Sequence, residues 1–121
     1  MADKLVQVGQ YIQKFNTLTA QALPCGPIMQ STGLKVHIRK HHPGLLSEMG
    51  KIPQIIACPD YVGVNPKEPN SVELVKVLDQ NLKVCVKLDQ KDGHLFVASL
   101  YNITEAKLLK HIQSGRLKQY I

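Results

Sequence analysis

Three short runs, VELVKVL (72–78), LKVCVKL (82–88) and HLFVASLY (94–101), follow one another with only DQN and DQKDG between them. Each is rich in β-branched and aromatic residues and bounded by turn formers, the pattern of antiparallel strands joined by tight loops. In the middle run Leu82, Val84, Val86 and Leu88 alternate with Lys83, Cys85 and Lys87. Successive strand side chains point to opposite faces, so this alternation predicts a sheet with one apolar and one wetted face. PDYVGVN (59–65) offers a further edge strand just before the three runs.

Toward the N-terminus the periodicity changes. In KLVQVGQYIQKFNTLTAQALPCGP (4–27), Leu5, Val8, Ile12, Phe15 and Leu18 recur at roughly helical spacing, and Pro24, Gly26 and Pro27 stop the element. A helix is expected there, although LVQVGQ alone also reads as a short strand. Ser31 or Thr32 offers an N-cap for a second helix running to about His42, which Pro43 closes by restricting the residue before it. Pro43 itself can open a third helix, with Leu45, Leu46 and Met49 on its buried side and Gly50 and Pro53 breaking it. At the other end, Asn102 and Glu105 have capping-box spacing. Ile103, Ala106, Leu109 and Ile112 form a face for the sheet, and Gly115 suits a C-cap. The expected fold is a single α+β domain over residues 1–121: N-terminal helices on a four-stranded antiparallel meander, with a C-terminal helix.

Composition narrows the function classes. Hydrophobic residues make up 44% of the 121, and no apolar run approaches the roughly 20 residues of a membrane span. The start, MADKLVQVGQ, lacks the apolar block of a secretion signal. A cytoplasmic protein without a membrane partner is therefore expected. Cys25, Cys58 and Cys85 are odd in number and form no CxxC pair, which argues against a disulfide framework or zinc ribbon and predicts reduced, mostly buried thiols. Fifteen Lys and Arg against nine Asp and Glu give a formal charge of +6, favouring a polyanionic partner.

GLKVHIRKHHPG (33–44) holds three of the five histidines. On a helix His37 and His41, four apart, share a face, and His42 lies about 100° further round. These side chains admit three kinds of role. They can be packing and helix-end residues, since a cation at a helix C-terminus meets the negative end of the dipole. They can be metal ligands, but the HExxH pattern would put Glu where Ile38 stands, and Arg39 and Lys40 oppose a cation. They can serve phosphoryl transfer without a metal. There an imidazole, whose ordinary pKa of about 6.5 suits neutral pH, takes the proton of a ribose 2′-hydroxyl while cations neutralise the charge growing on phosphate. Lys83, Lys87, Lys110 and Arg116 are further cations available for that task. Asp60, Asn65 and Asn70 read as turn formers and the cysteines as small packing residues.

STGLKVHIRKHHP (31–43), IPQIIACPDYVGVNPKEPNSVELVKVL (52–78), VKLDQKDGHLFVASLYNI (86–103) and SGRLK (114–118), in this order and spacing, resemble the phage-associated branch of the barnase, EndoU, colicin and RelE-like nuclease superfamily. The similarity spans about residues 27 to 118. It implies a helical first half packed on a four-stranded antiparallel sheet, and a toxin-like RNA-cleaving module of phages or mobile elements that uses neither metal nor cofactor. The family's helix pattern, His, two or three residues, a basic residue and His-Pro, is matched by His37, Lys40 or His41, and His42 with Pro43. His41 stands where the pattern usually has Arg or Lys before the last His. The V-A-T-x-Y strand is matched by Val97, Ala98, Ser99 and Tyr101, with Ser99 for Thr, and the S-G-R-L tail by Ser114 to Leu117.

His37, His42, Ser99 and Tyr101 are accordingly the expected catalytic residues, with Arg39, Lys40, His41, Lys87 and Arg116 expected to bind substrate. RNA is the expected partner, and an immunity or antitoxin protein a further one. Two other classes remain: an inactive RNA- or protein-binding module of the same fold, and a self-associating structural domain. With no Trp and only two Phe, stacking on single strands is a weak candidate for the main mode of binding.

Overall fold

The computed structural model describes residues 4–121. The chain runs β1 (Leu5–Tyr11), α1 (Gln13–Thr19), β2 (Gly26–Ser31), α2 (Gly33–His41), a 3-10 segment (Pro43–Lys51), α3 (Ile52–Ala57), β3 (Tyr61–Gly63), β4 (Ser71–Lys76), β5 (Leu82–Leu88), β6 (Leu95–Asn102), α4 (Glu105–Gln113) and β7 (Leu117–Gln119). The three strand-like runs form the antiparallel centre β4–β5–β6, with Val72 opposite Val86 and Val84 opposite Leu100.

The sheet is larger than the expected four-stranded meander. It has seven strands in the order β1-β2-β6-β5-β4-β3-β7, and β2 runs parallel to β6, so it is mixed. The LVQVGQ stretch takes its strand alternative: Val6, Val8 and Gly9 are poor helix residues, and the helix begins only at Gln13. β3 lies where PDYVGVN predicts a strand, but it is not at the edge, because β7 covers its outer side. Pro53 does not break the third helix. It falls in the first turn of α3, where its missing N–H is not needed, so the 3-10 segment passes directly into α3.

Alternation on the central strands divides the molecule. Val72 and Leu74 of β4, Val84 and Val86 of β5 and Leu100 of β6 enter the main core with Phe15, Ile38 and Ile55 from the helices. On the other side Val75 joins Ile103, Leu108 and Leu117 in a smaller core under α4. Leu108 rather than Leu109 faces the sheet, Leu109 being 51% exposed. The cap lies two residues further on than the expected Asn102–Glu105 box. Thr104 Oγ1 accepts the Lys107 N–H at 3.2 Å, while Asn102 is still in β6 and the Glu105 carboxylate accepts from the Asn81 amide at 3.1 Å. Gly115, at φ 84°, closes α4 in the left-handed conformation that glycine takes without cost. Cys25 and Cys58 are exposed and Cys85 is half-buried, so the expectation of mostly buried thiols is not met. No helix among the described residues is long and apolar enough to cross a membrane.

Candidate active site

The strand positions left out of the main core hold the chemistry. Glu73 on β4, Cys85 on β5 and Ser99 on β6 are direct neighbours across the sheet, and Lys83 stands opposite Tyr101 in the next row. These side chains floor a cleft of about 270 Å³, to which Ser71 and Lys87 also contribute. Helix α2 supplies one wall through His37, and the β3–β4 loop closes another side with Asn65 and Glu68.

Helix α2 is held at this edge by Leu34 and Ile38, both buried in the main core. Its N-terminus lies at Thr32 as expected, but the oxygen that accepts the Gly33 N–H, at 2.9 Å, is Ser31 Oγ. With Ile38 pointing inward, the His37 and His41 rings lie 4.8 Å apart between centroids. His42 ends the helix, its N–H donating to the Ile38 carbonyl at 2.7 Å, and its ring meets Tyr101 edge-on at 5.0 Å. The Lys83 ammonium lies 5.2 Å from the centre of the Tyr101 ring, a cation–π contact. A continuous line of functional groups therefore runs from α2 to the sheet: His37, His42, Tyr101, Lys83 and Glu73.

Glu73 anchors the far end. Its carboxylate accepts from Arg116 Nε at 3.0 Å, from Arg116 Nη2 at 2.5 Å and from Lys83 Nζ at 3.3 Å, while the residue is only 2% exposed. Burial pushes the Glu73 carboxyl up, but hydrogen bonds and charge from Arg116 and Lys83 outweigh it and hold it below the usual carboxylate range. Arg116 reaches Glu73 from the start of β7 across β3, and Gly63 makes that approach feasible. Gly63 pairs with Glu73 on one side and Leu117 on the other, and a Cβ there would collide with the Arg116 carbonyl oxygen.

Two further groups lack internal partners. Ser99 is 4% exposed and its Oγ, at the cleft floor, has no hydrogen-bond partner, a costly state that a substrate oxygen would relieve. His111 on α4 has a buried, unpartnered Nε2; burial first, and then the Arg116 charge, lower its pKa and favour the neutral ring. Burial lifts the Cys85 thiol to about 11, which makes it a poor nucleophile.

Of the residues singled out in the sequence, His37, Lys87, Ser99 and Tyr101 line the cleft, and His42 touches Tyr101 at its rim. Arg116 is tied to Glu73, and His41 lies against His37. Arg39 and Lys40 are exposed on α2 and do not line the cleft. Sequence reasoning passed over Glu73, Glu68 and His111. Glu73 had a signal: it is the lone acid in VELVKV, placed on the face opposite to Val72 and Leu74. One cluster with metal-ligand character, Asp89, Asp92 and His94, occurs among the described residues, but it lies in the β5–β6 turn. Asp89 there accepts the Lys91 and Asp92 N–H groups, an ordinary turn arrangement.

The family model described as phage-Barnase-EndoU-ColicinE5/D-RelE like nuclease3 matches residues 6–110, nearly the whole sheet together with the helix that carries the histidines. The chain belongs to this family. The family's description is that of a nuclease of the barnase, EndoU, colicin and RelE type, with nucleic acid as the implied substrate class. No curated protein and no solved structure matches the chain. The matched region covers every residue of the line from His37 to Glu73, and Arg116 lies just beyond it.

Proposed function

We propose that this nuclease cleaves RNA by attack of a ribose 2′-hydroxyl on the adjacent phosphate, without a metal. The carrying observation is the convergence of the His37 imidazole, two lysines and an unpartnered hydroxyl on one cleft, with the His42 ring against Tyr101 at its rim. His37 accepts the proton of the 2′-hydroxyl, and the 2′-oxygen bonds to phosphorus. The bond from phosphorus to the 5′-oxygen breaks, and protonated His42, steadied against Tyr101, returns a proton to that oxygen. The products are a 2′,3′-cyclic phosphate and a 5′-hydroxyl. The two imidazoles exchange roles if the chain lies in the opposite direction.

Charge that accumulates on the phosphoryl oxygens meets Lys83, Arg116 and the Ser99 hydroxyl, groups already fixed by the sheet. Glu73 is a positioning residue here: its carboxylate is committed to Arg116 and Lys83 and aims both cations. The carboxylates of the cleft, Glu73 and Glu68, are each paired with protein cations, which favours metal-free chemistry from the donor set itself. RNA supplies its own nucleophile, so none is needed from Cys85.

The test is incubation of the pure protein with mixed cellular RNA in excess EDTA, followed by analysis of the product ends. Cyclic phosphate ends are expected from the wild-type protein. His37→Ala should slow cleavage by about 10²–10⁴-fold with an unchanged melting temperature. Intact RNA from the folded wild-type protein, or cleavage that survives in His37→Ala, would reject the proposal and favour a binding module.

A further inference from the structure

The cleft does not end at Lys87. A second hollow of about 260 Å³ opens beyond it, reached by Lys67 and Asn70, and the two hollows share Glu68, Ser71 and Lys87 in their walls. Within that shared wall the Glu68 carboxylate and the Lys87 ammonium form an ion pair. Both partners are well exposed, at 39% and 38%. An exposed pair of this kind is weak and screened by salt, unlike the buried Glu73 pair in the same cleft.

The backbone beneath Glu68 is firmly set. Asn65 Oδ1 accepts the Lys67 N–H at 3.0 Å, and the Glu68 N–H donates to the Asn65 carbonyl at 2.8 Å. Ser71 Oγ donates to the Glu68 carbonyl at 2.6 Å, and the Gln21 amide donates to the Pro69 carbonyl at 2.6 Å. Pro66 and Pro69 stiffen the loop further. The Glu68 side chain can therefore leave Lys87 by rotation while the hydrogen-bonded loop backbone stays in place.

We propose that the two hollows are one track for the sugar-phosphate backbone of an RNA chain. Lys87 and then Lys67 hold phosphates that flank the scissile one. Glu68 acts as a resident anion that occupies Lys87 until a phosphate displaces it. The inference takes the identity of the polymer from the cleavage proposal, while the track and its gate rest on the geometry of the β3–β4 loop. It makes the protein selective for chains longer than the two nucleotides around the cut, and it makes Glu68 a discriminator against short fragments and weakly charged ligands.

The experiment measures binding of non-cleavable 2′-fluoro RNA of two and of six nucleotides, in mixed sequence and at fixed salt. Six nucleotides should bind more tightly than two. Glu68→Gln should tighten the six-nucleotide complex roughly threefold to tenfold, whereas Asp79→Asn, the same charge change on the exposed β4–β5 turn, should not. Lys67→Ala should erase most of the gain with length and lower the salt slope by about 0.7, while Lys91→Ala should not. If Glu68→Gln behaves like Asp79→Asn and Lys67→Ala like Lys91→Ala while the wild type still cleaves RNA, the track is rejected and the cleavage proposal stands. If the variants shift binding as expected but no RNA is cut, the track stands and the cleavage proposal falls. A wild-type protein that neither binds nor cleaves rejects both.

Discussion

Two glutamates stand in one cleft, each paired with a lysine of β5, and they behave as opposites. Glu73 lies on β4 in the middle of the sheet, 2% exposed, and accepts three hydrogen bonds from Arg116 and Lys83. Glu68 lies on the β3–β4 loop, 39% exposed, and its carboxylate pairs with Lys87. The pairs share chemistry and differ in solvent access. Burial makes the first a fixed part of the scaffold, because an unpaired charge there could not be hydrated. Exposure leaves the second exchangeable, because water or a phosphate can replace either partner at little cost.

The most forceful way to break this contrast is to remove the buried carboxylate. Glu73→Gln keeps the shape and leaves Lys83 and Arg116 without a counter-charge, so unfolding in urea should show a loss on the order of 2–3 kcal/mol. The lowered pKa of Glu73 fixes the sign of its pH dependence. Its contribution is complete above the ordinary carboxylate range and disappears as pH falls through the depressed folded-state value. The wild-type protein should therefore lose stability toward acid, and Glu73→Gln should flatten that limb. An unchanged acid limb in the variant would mean the pair is not formed as described.

A subtler break leaves both charges in place. Gly63→Ala puts a Cβ where the Arg116 carbonyl stands, which should push β7 outward and cost roughly 1–3 kcal/mol. Because Arg116 immediately precedes β7, cleavage should fall more steeply than in a variant of equal stability elsewhere, such as one trimming Leu108 under α4. Thiol labelling sharpens the contrast without mutation. Cys25 and Cys58 are exposed and should react promptly with an alkylating reagent, whereas Cys85, with its pKa near 11, should be modified only slowly until the protein unfolds. The smallest effect belongs to the exposed pair: Glu68→Gln should change stability by less than about 0.5 kcal/mol in the same urea titration.

Much of this architecture was legible in the sequence where one physical signal dominated. The central strands declared themselves through the alternation of Leu82, Val84 and Val86 with Lys83, Cys85 and Lys87, because burying one face leaves no other register. Helix α2 was legible from its cap residues and from Pro43. The outer strands were not. β1 carries both periodicities in LVQVGQ, and β7 is three residues long, so neither has a local pattern strong enough to decide against alternatives. β2 pairs with a strand more than sixty residues away, a contact that tertiary packing alone specifies.

The site divides in the same way. His37, His42, Ser99 and Tyr101 stood out as residue types, but the cation partners could not be ranked from sequence. Arg39 and Lys40 follow His37 by two and three residues yet project from exposed positions on α2, whereas Lys83 and Arg116 come together only because β5 and the residue leading into β7 both approach Glu73. Glu73 looks like any charged strand residue until the wetted face is seen to be roofed at both sides, by α2 and by α4.

The central claim is that this cleft uses the substrate's own 2′-hydroxyl as nucleophile. Its most direct measurement is cleavage, in EDTA, of a defined RNA that the protein cuts at one position, compared with the same strand carrying a single 2′-deoxy nucleotide immediately 5′ of the cut. The substituted strand should be bound but left intact at that position. Cleavage of both strands at the same bond and similar rate would contradict it.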